Sequence, residues 1–363
     1  TTEEARDNHN LHCHEHDSQR VTYPEPGTRL ELKKDVVMKK RRAPYVMYGD
    51  FECIMPPSNT SKGTATTLRS SHQMCGYALK GGAPTMPLLE KLGLKHGLGE
   101  DFEKSFFKQI EENVITFAQL TQQYRETMEL TDDEKVSHKS ATCCYLCHEP
   151  FDNDKSRDHD HSTKKYLGAA HSKCNLYDKT CSNVYVLFHN FRNYDSHLLF
   201  KHLTAYMPNV SVIGPTDEKF MSLTIAIRVK GCPKPINVHF HDSLLFLTSG
   251  LDKVVDSLAN VNEDEGRVVP DTSKFHHLKQ YVNDFVKKHN KNALFSEYFM
   301  KMLCHKQFYP YEYFTSDTMF EEKNLPPIES FYSKLKDETC SPKAYDHAQT
   351  VFKDFDCKTL WDY

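Results

Sequence analysis

The chain has a single tryptophan, Trp361, in 363 residues. It holds no apolar run approaching the roughly 18–20 residues that span a bilayer. A signal peptide, with its basic start, apolar stretch and small-residue cleavage site, is also missing. Neither a membrane span nor secretion is therefore expected. An excess of one charge is lacking too: 46 Lys and Arg face 50 Asp and Glu, for a formal net charge of −4. That excludes a histone-like basic protein and a polyacidic tail. It leaves open a nucleic-acid enzyme, in which only a local groove must be positive. Hydrophobic residues are few, at 38%, against roughly 45–50% in ordinary domains. The 22 Phe and 19 Tyr still supply a core, so wholesale disorder is not expected.

At about 150 residues per domain the length suits two or three domains. The chain opens Thr1-Thr2-Glu3-Glu4 without Met and stops at Trp361-Asp362-Tyr363, inside a stretch that reads as helical. A piece of a longer protein is expected. The 12 Cys are unevenly placed, with four of them among His, Asp and Asn between residues 143 and 175. Metal ligation in a reducing compartment fits that clustering better than a disulfide scaffold. Cys53, Cys75, Cys232, Cys304, Cys340 and Cys357 are scattered and read as buried or free thiols.

Residues 1–42 are polar and end in Lys39-Lys40-Arg41-Arg42, which reads as an arm or linker whose basic run either touches phosphates or is simply solvated. Within it His9 and Cys13 have the spacing of half a zinc finger, but no Cys pair precedes them. Residues 45–54 read as a buried strand and 73–80 as its return. Over 101–128, Phe102, Phe106, Ile110, Val114, Phe117 and Leu120 recur every three to four residues, as in one long helix. Strands are expected at 184–188, 210–214, 221–229 and 236–241, and helices at 194–206, 251–258, 274–302 and 328–357. Residues 138–183 hold too few aliphatic residues for an apolar core, so a metal is the expected organiser. The pattern gives an α/β domain with a Cys/His insert. Its expected limits are an arm at 1–42, a first domain part at 43–137, the insert at 138–183 and a second part at 184–363.

Two sites stand out. Asp50 and Glu52 lie two apart on an apolar strand, so both point to one face. Such a pair is either solvated at a strand end or holds cations, as two-metal phosphoryl-transfer sites require. Asn190 and Asp195 follow the strand 184–188, where a carboxylate either faces a ligand beyond the sheet or caps the next helix. In the insert, Cys144-x2-Cys147 and His171-x2-Cys174 form a Cys3His set suited to tetrahedral Zn²⁺, with Cys143 able to replace Cys144.

An apolar strand with Asp-x-Glu, followed by a strand with His-Asn-x3-Tyr-Asp, resembles the first two exonuclease motifs of family B DNA polymerases. The words PYVMYGDFECIM, VYVLFHNFRNYDSHLLF and FHDSLLFLTSGLDKVV look like the protein-primed branch, carried by Polinton/Maverick-type mobile elements and related viruses. The segment from LPPIESFYSKLKDE to CKTLWDY resembles the stretch before that family's third exonuclease motif. The resemblance implies an RNase H-like 3′–5′ exonuclease domain with a helical C-terminal part. Asp50, Glu52 and Asp195 would hold two Mg²⁺ or Mn²⁺ ions, and Asn190 would position the substrate. Ser243 and Leu244 would contact single-stranded DNA and the terminal protein primer. The third motif, Tyr-x3-Asp, is matched in spacing by Tyr313 and Asp317, but in a different setting. In the family it follows the stretch matching CKTLWDY, so the part at 184–363 is expected to stop short of it. With no polymerase motifs present either, the chain alone is expected to be weak or inactive.

Asp158-His159-Asp160-His161 between the ligand pairs, and Asn175 after Cys174, resemble recombination endonuclease VII, an HNH nuclease on a zinc-held ββα fold. By that resemblance Asp158 and Asn175 would bind Mg²⁺, His159 would be the general base and His161 would assist at the phosphate or metal. The family's Thr-Gly and Arg-Gly are Thr163-Lys164 and Leu167-Gly168 here. Three functions compete: a proofreading exonuclease region of a DNA polymerase, an endonuclease on branched DNA, and an inactive DNA-binding relic. A DNA-replicating role would imply the nucleus or a viral replication site.

Overall fold

The computed structural model describes residues 2–13, 25, 27, 43–59, 61–62, 66–82, 92, 94–99, 101–124, 129–160, 164–176, 182–207, 209–214, 216, 219–258, 262–264, 267–269, 275–292, 295–304, 307–334 and 337–363. The chain divides into two units, Thr1–Arg41 and Arg42–Tyr363. In the first, Glu3–Cys13 is a helix, α1, with Glu3 and Glu4 in its first turn, where they complement the helix dipole. A helix was not expected in this arm. The basic run Lys39–Arg42 and the side chain of Cys13 lie outside the described residues.

The second unit is built on a seven-stranded mixed sheet. Its strands are β1 (Val46–Ile54), β4 (Gln73–Gly82), β5 (Leu94–Leu98), β8 (Asn183–Phe188), β9 (Val210–Ile213), β10 (Ser222–Ile227) and β11 (Ile236–Asp242). They run in the order β5-β4-β1-β8-β11-β10-β9. The three central strands, β1, β8 and β11, are parallel, and the flanking pairs are antiparallel. Two short pairs lie apart from this sheet, β2 (Ser61–Lys62) with β3 (Thr66–Thr67) and β12 (Asn262–Asp264) with β13 (Arg267–Val269).

Strand alternation decides which face is buried. Met47 and Phe51 of β1, Val184, Val186 and Phe188 of β8, and Val238 and Phe240 of β11 share one core. Helix α2 (Phe102–Tyr124) covers it with Phe106, Ile110, Val114 and Phe117, the stripe expected from the sequence. Helix α5 (Asp195–Tyr206) adds Leu199 and Leu203. The opposite face carries Tyr48, Asp50 and Glu52 with Tyr185, His239 and His241; the last three rings lie against one another at 5.3–6.0 Å.

The insert begins with α3 (Asp132–Ser140), capped by a reciprocal pair in which Thr131 accepts from the Glu134 backbone and Glu134 accepts from the Thr131 backbone. Strands β6 (Lys155–His159) and β7 (Tyr166–His171) form an antiparallel hairpin that leads into the short helix α4 (Ser172–Leu176). Lys155 donates to the carbonyls of His138, Lys139 and Ala141, which ties the end of α3 to the hairpin.

The C-terminal part is less helical than its sequence suggested. Helices α6 (Leu251–Leu258), α7 (His276–Lys288), α8 (Phe295–Leu303) and α9 (Pro342–Asp354) are short. Asn290, at φ +50°, follows α7, where the expected 274–302 helix breaks. Pro326 and Pro327, with no backbone N–H to donate, precede a single 3-10 turn at Ile328–Phe331. The ending 357–363 is not helical: Asp356 turns the chain at φ +57°, and Asp362 accepts from the backbones of Lys358 and Thr359. Among the described residues no helix is long and apolar enough to cross a membrane.

Gly49 lies between Tyr48 and Asp50 because Phe188 leaves no room for a side chain: a Cβ there would meet the ring at 2.6 Å. Phe188 is itself held by Phe51 and Phe191. Gly49→Ala is expected to cost about 1–3 kcal/mol of stability by overpacking, read as a lower denaturation midpoint. Pairing it with Phe188→Leu should recover part of that loss.

Candidate functional site

The parallel strands end at the same edge of the sheet, and acidic residues gather there. β1 brings Asp50 and Glu52 on one face, as the i, i+2 spacing predicts. A register shift against β4 falls between Glu52 and Cys53, a bulge of the kind that re-aims a side chain. β8 runs into a tight turn through Asn190, which adopts φ +67°. The chain then enters α5 at Asp195, which is buried. The N-cap position of α5 is Tyr194, with no side-chain cap bond, and Asn190 makes no cap bond either. The plain helix-capping role is thus not the one these two residues fill.

The carboxylates feel one another. Burial and then the charge of Asp50 push Glu52 up to about 7. Burial and then the charges of Asp50, Asp242 and Glu52 push Asp195 up to about 7, against a lowering backbone contact. Asp50 is raised by burial, though the Phe51 N–H, at 3.1 Å, and His189 pull the other way. Like charges in a dehydrated setting behave this way when no cation is present to neutralise them.

Neighbouring groups hold the site in place. Tyr194 Oη is 2.7 Å from His72 Nδ1, and it also bonds the thiol of Cys53. His189 Nδ1 lies 3.0 Å from Ser243 Oγ, so the Ser243 hydroxyl, buried at the end of β11, is engaged within the protein. Leu244 donates its backbone N–H to Asp242, and the next residues, Leu245, Phe246 and Leu247, are exposed.

Tyr313 and Asp317, the pair with the spacing of a third motif, do not join the carboxylates. Tyr313 donates to Glu322 at 2.8 Å, and Asp317 starts a 3-10 turn. Instead, Tyr309 and Tyr311 approach the site, because Met55 at the end of β1 donates to the carbonyl of Phe314 at 2.7 Å. After burial, Glu52 is the largest influence raising both phenols, and Asp50 adds to it for Tyr311. Tyr311 is half exposed. Tyr309 and Tyr311 belong to the aromatic run Phe308–Phe314, and no local spacing signals its place beside Glu52.

A second site lies in the insert. Among the described residues, Cys144, Cys147, His171 and Cys174 form the one group of potential metal ligands whose donor atoms all lie within 4.8 Å of one another. Cys144 takes this place, and Cys143 is exposed. His171 Nδ1 is 3.3 Å from Cys147 Sγ and 3.7 Å from Cys174 Sγ. Its Nε2 is 3.0 Å from the carbonyl of Pro150, to which it donates, so Nδ1 is the nitrogen turned toward the sulfurs. Burial pushes the Cys144 thiol up, but N–H groups of Cys147, His171 and Leu146 outweigh it and bring it down to about 7. Three sulfurs and one oriented imidazole suit Zn²⁺.

The remaining insert residues are spent on the hairpin. Asp158 is fully buried and accepts the Tyr145 hydroxyl at 2.6 Å. Asn175 donates to the carbonyl of Arg157 at 3.3 Å. His159 is half-buried on β6. His161 lies outside the described residues.

No protein-family model matches the chain, and no curated protein matches it. Chains of phi29 DNA polymerase do match among solved structures. With the polymerase bound to primer-template DNA, the TM-score is 0.29 at 11% identity, over 62% of this chain and 25% of that one. With incoming nucleotide substrates also bound, the TM-score is 0.30 at 9% identity, over 63% and 25%. The chain thus spans about a quarter of the polymerase it is similar to.

The crowding of Glu52 has a measurable sign. Its folded pKa, about 7, lies above the ordinary 4.5, so the folded state keeps a proton that the unfolded chain has lost. That contribution is full below about pH 4.5 and disappears as pH rises through about 7. Without added Mg²⁺ or Mn²⁺, Glu52→Gln is expected to raise the melting temperature at pH 8 by about 2–4 °C, and by much less near pH 4.5. An unchanged or lower value at pH 8 overturns the repulsion.

Proposed function

We propose that this chain is the 3′–5′ exonuclease region of a protein-primed family B DNA polymerase, with an RNase H-like core. The carrying observation is the convergence of Asp50, Glu52 and Asp195, from β1 and the head of α5, at the edge where the parallel strands end. Open α/β sheets place their ligands at that edge. Oxygen donors of this type suit Mg²⁺ or Mn²⁺, which when bound would activate water and stabilise the leaving 3′ oxygen. Asp50, Glu52 and Asp195 supply those donors.

Asn190 and the Ser243–Leu244 turn flank the carboxylates and are placed to orient a single-stranded 3′ end. The half-exposed ring of Tyr311 offers a stacking surface for a terminal base. The same turn, with exposed Leu245, Phe246 and Leu247, would also meet the terminal protein primer. DNA replication is the parent activity in this reading, and the nucleus or a viral replication site its place.

The insert acts in this reading as a structural zinc module. Cys144, Cys147, His171 and Cys174 hold the ion, which fastens the ββα segment to its Cys144–Cys147 turn. The endonuclease alternative is less favoured, because Asp158 and Asn175 already serve hydrogen bonds inside the hairpin.

Two measurements test these roles. With Mg²⁺, the full-length protein that carries this chain should trim single-stranded oligonucleotides from the 3′ end. Asp50→Ala should lower the rate by about a hundredfold or more, while His159→Ala should leave it unchanged. Trimming that survives Asp50→Ala defeats the assignment. Cleavage of branched DNA that depends on His159 would favour the endonuclease instead. For the insert, elemental analysis should find about one zinc per chain, and Cys147→Ser should lower that content and expose the β6–β7 amides to exchange.

A further inference from the structure

Asp242 closes β11, and nothing above assigns it a task beyond its charge. Its side chain is fully buried. Oδ1 accepts the backbone N–H of Asn190 at 2.9 Å and that of Leu244 at 2.9 Å. Oδ2 accepts the backbone N–H of Arg192 at 3.2 Å, with Arg192 Nε 3.9 Å away. Three amides from two separate loops converge on one carboxylate. A buried charge needs such donors to remain ionised. The loops in turn acquire a common anchor.

That anchor sits where the backbone resists. Asn190 at φ +67° occupies the left-handed region, unfavourable for a residue with a Cβ and kept only when its surroundings hold it there. The bond from its N–H to Asp242 supplies that hold. His189 and Ser243 join the same two loops a second time, at 3.0 Å.

We infer that Asp242 is a positioning residue: it locks the Asn190 loop to the Ser243–Leu244 turn, so that a single-stranded 3′ end meets both as one rigid surface. The inference rests on the exonuclease reading. Asp242 is too deeply buried to touch DNA and acts through the residues it holds.

The test is Asp242→Asn in the full-length protein. Asn keeps the size and one acceptor, but its Nδ2 group turns a donor toward loop N–H groups that need an acceptor. The KM for a single-stranded oligonucleotide with a free 3′ hydroxyl should rise about tenfold. The kcat, read well above pH 7 so that Asp195 is ionised with or without the neighbouring Asp242 charge, should stay within about threefold. Amide hydrogen exchange at Asn190, Arg192 and Leu244 should speed up about tenfold, while Val186 and Val238 in the neighbouring strands stay protected. An Asp242→Asn protein with wild-type KM and wild-type exchange overturns the positioning role and leaves the exonuclease reading standing. Loss of protection throughout the sheet marks Asp242 as general support for the fold and overturns the role as well. A wild-type full-length protein that shows no trimming overturns the exonuclease reading itself, and the role with it.

Discussion

Three carboxylates within range of one another's charge are the constraint around which this protein is arranged. Burial raises Asp50, Glu52 and Asp195, and repulsion adds to it for Glu52 and Asp195. A fold tolerates that cost only when the site is held by something stronger than the repulsion. Here the holding group is the sheet. β1 is fixed by antiparallel pairing with β4 on one side and parallel pairing with β8 on the other. Beneath it, Phe51, Phe106, Phe188 and Phe191 pack ring against ring.

The parallel centre of the sheet explains why the acids meet. β1 carries Asp50 and Glu52 beyond its parallel pairing with β8, the turn after β8 leads to Asp195 at the head of α5, and β11 ends on Asp242. The roles differ with the partners. Asp242 is saturated with backbone donors and organises the loops. Burial with neighbouring charge keeps Glu52 and Asp195 high, outweighing the one backbone contact that lowers Asp195. Carboxylates of one chemistry therefore take two functions according to the hydrogen bonds within reach.

The insert follows another logic. With few aliphatic residues it cannot build an apolar core, and its order comes from polar ties: Lys155 across the end of α3, Tyr145 to Asp158, and the Cys3His group. The two bodies of the second unit thus show two ways to hold a short chain. One uses stacked aromatics over a sheet, the other polar ties and a Cys3His ligand set.

Local pattern carried much of this. The stripe from Phe102 to Phe117 predicted α2, short apolar and β-branched runs predicted β1, β8 and β11, and the spacing of Cys144, Cys147, His171 and Cys174 was itself the ligand set. Where the pattern was weak the reading failed. β5, Leu94-Lys95-His96-Gly97-Leu98, has no apolar alternation. The polar helix α3 buries no residue, so only its Thr131–Glu134 cap marked it. The C-terminal ending looked helical because its apolar residues recur, yet Asp356 turns the chain out of the helix. What the sequence determined alone is what depends on neighbours a few residues apart: strand faces, helix stripes, the Asp-x-Glu pair and the two ligand pairs. Only the tertiary structure decided which acid is a latch, which tyrosine lies beside the carboxylates, and that Tyr313 turns to Glu322. Those assignments depend on atoms brought together from 52 residues away between Asn190 and Asp242, and no local spacing encodes a contact of that range.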